Sequence, residues 1–352
     1  MKAYGAEAYT GLEPFGGEAI GGPESYSGLL TRNDCDEAVN SVSGFLAAIQ
    51  KTNRRIWLEN MLNLSSYLEI PMADGILLAS DLRGGVYNHN MSAGYVPLLW
   101  SGANCRFLGI VAEGPDPSTG GAIYAPPYSD GIGVKSNKTG VIVESCEIRN
   151  WQYGGVKTNS NTQVLFNYIH HCQHQGIGYG VSVGGSNSNA FIMGNFIDYC
   201  RHFIMGECGL TSYEVCYNLF GRNCTNTQID CHGGHDDKCG GDIYGTPAGK
   251  RLLYHHNTNL CVSQRVMGIR GIPADICDAH HNWSYYTSGS PCSGLNCPQG
   301  WKVYAQELGG PDDYTAKQPY IRMTEHDNWF GSAPPPDIVA KKMAVWVDVR
   351  RR

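Results

Sequence analysis

The chain has 352 residues, of which 45 are glycine, and only 16% of the residues are charged. This composition, with its many Asn, Ser and Tyr residues, favours short strands and tight turns and argues against a helical solenoid. The net charge is −6 and no basic run precedes Arg350–Arg352, so the sequence lacks the electrostatic footprint of a nucleic-acid binder. No run of about 20 apolar residues occurs, so no membrane span is expected.

Fourteen cysteines are present, and they lack the paired C-x-x-C spacing of zinc ribbons. Because disulfides persist in oxidising compartments, this content predicts a disulfide-containing protein that is secreted or displayed at the cell surface. The first ten residues lack the apolar segment of a secretion signal, so we expect the sequence to be a processed form with an added Met.

Residues 1–50 are predicted to form an N-terminal arm and a capping helix. The arm, to about residue 33, is rich in Gly, Glu and Tyr and shows no clear periodicity. From Asp36 to Gln50, apolar residues recur at helical spacing behind two candidate N-caps, Asp34 and Asp36. An amphipathic helix here would cover the first, otherwise open, layer of a stacked β structure.

Residues 51–285 carry a repeat of short strands and turns. The runs RRIWLEN, LEIPMADGILLAS and NCRFLGIVAEGP are followed, from Gly140, by a recurring apolar segment that ends at an asparagine. The equivalent residues Asn167, Asn195, Asn218, Asn257 and Asn282 are 28, 23, 39 and 25 residues apart. A repeat of roughly two dozen residues predicts a parallel β-helix, because a propeller blade needs about 40 residues.

Equivalent residues on neighbouring coils of a β-helix lie about 4.8 Å apart. The asparagine column is therefore predicted to be an internal hydrogen-bonding ladder at a turn. Cys172 and Cys200 each follow their asparagine by five residues, which predicts either a disulfide or a stack of buried thiols.

The repeat fades beyond Asn282, and residues 286–352 are predicted to form a loop-rich extension packed on the coil. Cys292 and Cys297 are expected to close a local disulfide loop. The segment APPPD from Ala333 is expected to be extended, and the segment from Val339 to cover the last coil.

The repeated segments HHCQHQGIGYGV, GNFIDYCRH, SYEVCYN, IDCHGGHD, AGKRLLYHHNT, IRGIP and HHNW resemble the right-handed parallel β-helix proteins of the pectate-lyase-like superfamily. The resemblance covers roughly residues 50–285. It implies an all-β solenoid fold and a carbohydrate-active function. That superfamily includes polysaccharide lyases, which use a Lys or Arg base with calcium or another cation, glycoside hydrolases, epimerases and non-catalytic surface or fibre proteins.

Aligning the strands that follow each asparagine turn sets VKT from Val156, VSV from Val181, FIM from Phe203 and IDC from Ile229 in register. This alignment collects proton-transferring and charged groups near one sheet. The candidate catalytic residues are Lys157, Tyr179, Arg201, His202, Asp230 and His232. The candidate substrate contacts are Trp151, Tyr153, His171, His174 and Arg270.

Abstraction of the proton α to a uronate carboxylate needs a base, a carboxylate clamp and an acid for the leaving oxygen. His202 or Lys157 is the candidate base and Tyr179 the candidate acid. Arg201 is the candidate clamp, since its planar guanidinium pairs bidentately with carboxylate. A salt bridge from Arg201 to Asp198 or Asp230 is the alternative.

Two further interpretations stay open around Asp230. His232, His235 and Asp236 are candidate metal ligands, with Cys231 and Cys239 either further ligands or a disulfide, and the metal would be Zn or Ca. No cofactor is required by the sequence. Asp230 with Asp236 or Asp237 is a candidate carboxylate pair for glycoside hydrolysis.

Three histidine pairs, His170-His171, His255-His256 and His280-His281, occur in the repeat. Neighbours on a strand point to opposite sides. We therefore expect one member of each pair to pack inside while the other faces outward, a structural use rather than a site.

The sequence as a whole predicts an extracellular polysaccharide lyase that cleaves an acidic polymer by β-elimination. Glycoside hydrolysis is the first alternative. A non-catalytic surface, sheath or fibre protein, capable of self-association, is the second.

Overall fold

The computed structural model describes residues 30–89, 96–115, 129–135, 137–185, 187–234, 236–241, 245–261, 263–285, 304–305 and 322–331. Within these ranges the chain winds through three all-parallel sheets, and each strand pairs with strands of the preceding and following coil. The expected parallel β-helix is confirmed. No helix among the described residues is long and apolar enough to cross a bilayer.

Sheet A contains eleven strands, and their order across the sheet follows the order of the chain. They are β1 (Glu37–Val39), β2 (Arg55–Leu58), β5 (Leu77–Ala79), β8 (Arg106–Leu108), β11 (Ile142–Glu144), β14 (Thr162–Leu165), β17 (Asn189–Met193), β20 (Ser212–Cys216), β23 (Arg251–His255), β26 (Ile276–His280) and β29 (Met323–His326).

Sheet B contains ten strands: β3 (Met61–Asn63), β6 (Gly85–Tyr87), β9 (Val111–Glu113), β12 (Glu147–Arg149), β15 (Tyr168–Cys172), β18 (Phe196–Cys200), β21 (Leu219–Phe220), β24 (Thr258–Asn259), β27 (Trp283–Tyr285) and β30 (Trp329–Gly331). Sheet C contains nine: β4 (Ile70–Pro71), β7 (Val96–Ser101), β10 (Ser129–Val134), β13 (Gly154–Thr158), β16 (Tyr179–Val183), β19 (His202–Gly206), β22 (Ile229–Cys231), β25 (Met267–Ile269) and β28 (Tyr304–Ala305).

The interior is filled by columns of apolar side chains, one from each coil. In sheet C one such column is in continuous register and fully buried: Ile132, Val156, Val181, Ile204, Ile229 and Met267. Branched side chains suit these positions because they pack against the same residue type one strand spacing away.

The asparagine ladder is confirmed at the turn between sheets A and B. The side-chain amide of Asn195 donates to Val164 O and Met193 O, and its Oδ1 accepts from the backbone N–H of Asn167 at 2.9 Å. The same exchange links Asn218, Asn257, Asn282 and Asn328. The ladder satisfies backbone groups that would otherwise be buried without partners at the bend.

The N-terminal helix is shorter than the sequence pattern predicts. Helix α1 spans Val42–Ala48, and its N-cap is Ser41, whose Oγ accepts from Gly44 N. The N-caps predicted at Asp34 and Asp36 are wrong, because Glu37–Val39 pairs with β2 and begins sheet A. Phe45 and Ala48 join the core, as expected for a cap.

The cysteines are mostly buried thiols. Cys172 and Cys200 lie in register on β15 and β18 and are both free, so the thiol stack is confirmed in place of a disulfide. Cys239 pairs with Cys208 and not with Cys231. Cys292 and Cys297 lie outside the described residues.

Strands β28, β29 and β30 carry the three sheets beyond residue 285.

Replacing Asn195 by Ala should destabilise the fold by about 3 kcal/mol, because the change leaves several buried backbone groups without partners. Urea denaturation at equilibrium measures the loss. The control is Asn189→Ala on the exposed rung that Asn189 forms with Asn161, where we expect about 0.5 kcal/mol or less. Equal losses at both positions would contradict a special role for the buried ladder.

Candidate functional site

The candidate site lies on the outer face of sheet C. Lys157, Ser182, Met205 and Asp230 occupy equivalent positions on β13, β16, β19 and β22. The predicted alignment of β19 is wrong by one residue, because Met205, not Ile204, pairs with Ser182. Phe203 and Ile204 both belong to the hydrophobic core, and both are fully buried.

Asp230 and Asp236 share one arginine. Arg270 binds Asp230 bidentately, with Nε 3.0 Å from Oδ1 and Nη2 2.7 Å from Oδ2. Its Nη1 also lies 2.9 Å from Oδ2 of Asp236. Asp230 is completely buried, whereas Arg270 and Asp236 are partly exposed. A buried carboxylate requires such charged partners to remain ionised.

His232 lies between the same two carboxylates. Its Nδ1 is 2.7 Å from Oδ2 of Asp236, and its Nε2 is 3.4 Å from Oδ2 of Asp230. The side chain keeps 15% of its surface exposed. His232 is thus a proton-transferring group that solvent reaches, and a carboxylate faces each of its two ring nitrogens.

His202 supports Asp230 from the other side. Its Nε2 is 3.5 Å from Oδ2 of Asp230, its Nδ1 contacts Thr227 O, and its ring stacks on Tyr179 at 5.7 Å. Tyr179 packs with Ile177, Met205 and Tyr153 in a small cluster outside the coil. Both candidate catalytic residues are buried, and His202 lies beside Asp230.

The pKa values in this cluster diverge. Burial opposes ionisation of Asp230, but the charges of Arg270, His232 and His202 outweigh it and hold its pKa well below the usual value. Burial lowers the pKa of His202 to about 3, against the attraction of Asp230. Burial likewise disfavours protonated His232, yet Asp230 and Asp236 raise its pKa overall. The hydrogen bond from His232 lowers the pKa of Asp236.

A second group surrounds Lys157, three coils away and so about 14 Å from Asp230 at the backbone. The Lys157 Nζ lies 5.6 Å from the centroid of the Tyr153 ring, and both residues are partly exposed. Burial raises the pKa of Asp130 to about 7, although the charge of Lys157 opposes the shift. Asp130 is not among the site residues predicted from the sequence, because it lies before Asn167, the first recognisable asparagine of the repeat.

Arg201 immediately precedes His202 and is partly exposed. Burial is the main cause of the lowered pKa of His202, and the charge of Arg201 adds to it. The alternative salt bridge to Asp198 or Asp230 is not formed. Asp198 instead accepts from Asn223, and Asp230 pairs with Arg270. Among the described residues, Arg201 forms no ion pair.

The remaining candidate contacts are dispersed. Trp151 is 1% exposed and donates from Nε1 to Ala112 O, which places its ring in the core and away from any ligand. His174 is buried. His171 lies near the C-terminal end of strand β15 and stacks on Tyr199, with ring centroids 4.4 Å apart. Tyr153 and Arg270 do lie on the candidate face.

The histidine pairs do not split between interior and exterior as predicted. The second residue of each pair, His171, His256 or His281, has a left-handed backbone, with φ between 54° and 58°. This conformation breaks strand alternation. The two Nδ1 atoms of each pair therefore converge to 2.6, 3.0 and 2.9 Å.

The predicted metal site is only partly described. His232 and Asp236 contact each other, but His235 lies outside the described residues. The close groups of metal-donor atoms found in the described part of the chain are elsewhere: Glu214, Cys216 and His255, and His281, His326 and Asp327.

The Cys208–Cys239 disulfide holds the loop of Asp236 against the preceding coil. Cys208 follows β19 by two residues, and Cys239 ends the short 3-10 helix Asp237–Cys239. The bond therefore fixes the segment that carries Asp236 beside the coil that carries His202.

Comparison of the chain with protein-family models, curated proteins and solved structures finds no match. The geometry of the site therefore carries the functional argument.

Replacing Arg270 by Met should lower the free energy of unfolding by about 3 to 5 kcal/mol near neutral pH, because Asp230 would stay buried without the guanidinium of Arg270. The depressed pKa of Asp230 contributes stability above its unfolded pKa of about 4. That contribution fades as the pH falls further, so the difference between the two proteins should shrink below about pH 4. Urea denaturation across pH measures both effects.

Arg83→Met provides the matched control, since Arg83 forms an exposed ion pair with Asp81. We expect little change in stability from its loss. A loss at Arg270 that is no larger than the loss at Arg83, or that does not vary with pH, would contradict the proposed electrostatic role.

Proposed function

We propose that this chain is an extracellular, pectate-lyase-like, right-handed β-helix protein that binds an acidic polysaccharide along sheet C and cleaves it by β-elimination. The observation that carries the proposal is His232, a partly exposed imidazole held between Asp230 and Asp236, with Arg201 on the neighbouring coil. A fixed proton-transfer group, with an arginine on the neighbouring coil that forms no ion pair among the described residues, suits a uronate polymer.

Two cation-aromatic pairs support binding of an acidic polymer. Lys135 lies 6.0 Å from the Trp100 ring, and Lys157 lies 5.6 Å from the Tyr153 ring. Their strands β7, β10 and β13 are consecutive in sheet C. Lysines suit the carboxylates of successive uronates, and aromatic rings suit the apolar faces of sugars. The distance from these pairs to His232 spans several coils, which favours a polymer over a small metabolite.

In the proposed reaction, Arg201, which precedes β19, holds the carboxylate of a neighbouring uronate of the bound polymer, because His232 lies beyond the opposite end of β22. Neutral His232 removes, through Nε2, the proton α to the carboxylate of the sugar whose glycosidic bond breaks, and the electrons of the C–H bond form the new C=C bond. The bond to the leaving oxygen breaks, and protonated His232 returns the proton to that oxygen. Asp230 and Asp236 orient the ring, as a carboxylate orients a catalytic histidine. His202 and Tyr179 keep Asp230 in place.

The test is an assay with a panel of uronate polymers, followed by absorbance at roughly 235 nm, where the conjugated product of the elimination absorbs. His232→Gln should lower kcat by at least about 100-fold while retaining the fold. Lys157→Ala serves as the matched variant, since it removes a binding charge from a distant coil. It should raise KM and leave kcat nearly unchanged. A folded His232→Gln protein with full turnover would remove His232 from the mechanism.

The pH dependence follows from the raised pKa of His232. His232 must be neutral to accept the proton. Because Asp230 and Asp236 favour protonated His232, the neutral form becomes populated only at higher pH. We expect kcat/KM to rise with pH along a limb centred above 6.5, the usual histidine value. A limb centred below that value would contradict His232 as the base.

Glycoside hydrolysis is the second candidate, and a different residue favours it. Asp130, with a pKa of about 7, retains a proton that a general acid needs. Asp230 and Asp236 are less suited, because their charged partners lower the pKa of each carboxyl group, so neither holds a proton near neutral pH. New reducing ends without an unsaturated product would support hydrolysis. Neither product with any polymer would support a surface or fibre role.

A further inference from the structure

A second cluster of chemically active side chains lies at the turn between sheets A and B, away from sheet C. We call it the histidine ladder, and its members are His255, His256, His280, His281, His326 and Asp327. They occupy the two positions before the ladder asparagines Asn257, Asn282 and Asn328. Five of the chain's 12 histidines thus meet at one corner of three consecutive coils.

The rings form two parallel stacks. His280 lies between His255 and His326, with ring centroids 4.9 and 5.0 Å away, and His256 stacks on His281 at 5.0 Å. The left-handed turn residues bring the stacks together, so that Nδ1 of His280 is 2.9 Å from Nδ1 of His281. The nitrogen atoms of several coils consequently face one another.

Carboxylates complete the donor set at the exposed end of the ladder. Oδ2 of Asp327 is 2.8 Å from Nδ1 of His326 and 3.9 Å from Nε2 of His281. Each of these three residues offers a donor atom, and these atoms all lie within 4.8 Å of one another. Asp278 approaches Nε2 of His326 to 3.6 Å and forms an outer partner. His326 and Asp327 are 51% and 63% exposed, so an ion can enter from solvent.

Imidazoles bind metal ions in their neutral form, through a nitrogen lone pair. The Asp327 carboxylate, beside His281 and His326, adds a negative charge that attracts a divalent cation.

The other end of the ladder is less suitable. Glu214, Cys216 and His255 also form a group of close donors. However, Cys216 is buried, and burial raises the pKa of its thiol well above the usual value, so the thiolate ligand is disfavoured. The exposed group with its carboxylate needs no such deprotonation.

We propose that His281, His326 and Asp327 bind one divalent transition-metal ion of the kind that imidazole prefers, such as Zn²⁺ or Cu²⁺. Two imidazoles and one carboxylate form a common ligand set for such ions and leave a position open to water. Ca²⁺ and Mg²⁺ are disfavoured because they select oxygen ligands. The site is separate from the proposed reaction on sheet C.

The test is isothermal titration of the full chain, free of any histidine tag and stripped of metal, with Zn²⁺ and separately with Cu²⁺. We expect one ion per chain with a micromolar or tighter Kd. For Cu²⁺, the electron paramagnetic resonance spectrum should show nitrogen coupling. His326→Gln, at an exposed position that should tolerate the change, and His281→Gln should each weaken binding by at least about 10-fold.

His171→Gln is the matched control. His170-His171 is a similar pair, but it lies near the C-terminal end of strand β15, and the residues paired with His170 on the neighbouring coils are Arg149 and Asp198. The His171→Gln variant should bind metal like the unmodified chain, and so should His232→Gln on sheet C. Absence of binding, equal weakening in His171→Gln, or binding that survives both ladder substitutions would overturn the proposal. Circular dichroism and thermal denaturation verify that each variant is folded.

Discussion

The buried amide ladder between sheets A and B fixes the register on which this molecule depends. Asn195, for example, donates to backbone carbonyls of its own and the preceding coil, and its Oδ1 accepts from the backbone N–H of Asn167 on the preceding coil. A slip by one residue would leave these buried groups unpaired and turn core side chains toward solvent. The ladder thereby sets the order of side chains on every face of the coil.

That register has a direct chemical consequence on sheet C. Residues distant in sequence, such as Asp230 and Arg270, meet because they lie on successive coils. Sealing a carboxylate in this way is unfavourable unless its partners are held in place. The disulfide, the His202 ring and the packed Tyr179 supply that rigidity, while His232 stays partly exposed. A preorganised imidazole is the form in which proton transfer is most effective.

The same turn that carries the asparagine ladder also creates the histidine ladder. A left-handed residue before each asparagine turns two consecutive side chains to one side of the chain. Where both are histidines, as at His280 and His281, the rings stack on those of the neighbouring coils, and several metal-donor nitrogens lie close together. The asparagine ladder inside the coil and the candidate metal site on its exterior therefore both depend on the left-handed turn residue.

The spacing of Asn167, Asn195, Asn218, Asn257 and Asn282 was enough to predict the β-helix, because a stacked fold repeats its turn chemistry in the sequence. It also predicted that Cys172 and Cys200 lie next to each other, as a disulfide or as stacked thiols, and that Lys157 and Asp230 converge on one sheet. It could not assign Arg270 to Asp230, because insertions of variable length separate the coils. Nor could it show that the consecutive residues Phe203 and Ile204 are both buried, or that the second histidine of each pair is left-handed, since strand alternation is only an average rule.

The sequence by itself thus determined the coil and its internal ladder, which depend on local patterns repeated many times. Only the tertiary structure decided which side chains are buried, paired or accessible. His202 and His232 differ little in sequence context, yet one is sealed and neutral while the other is partly exposed with a raised pKa. Their difference arises from charges and packing contributed by other coils, and no single repeat encodes it.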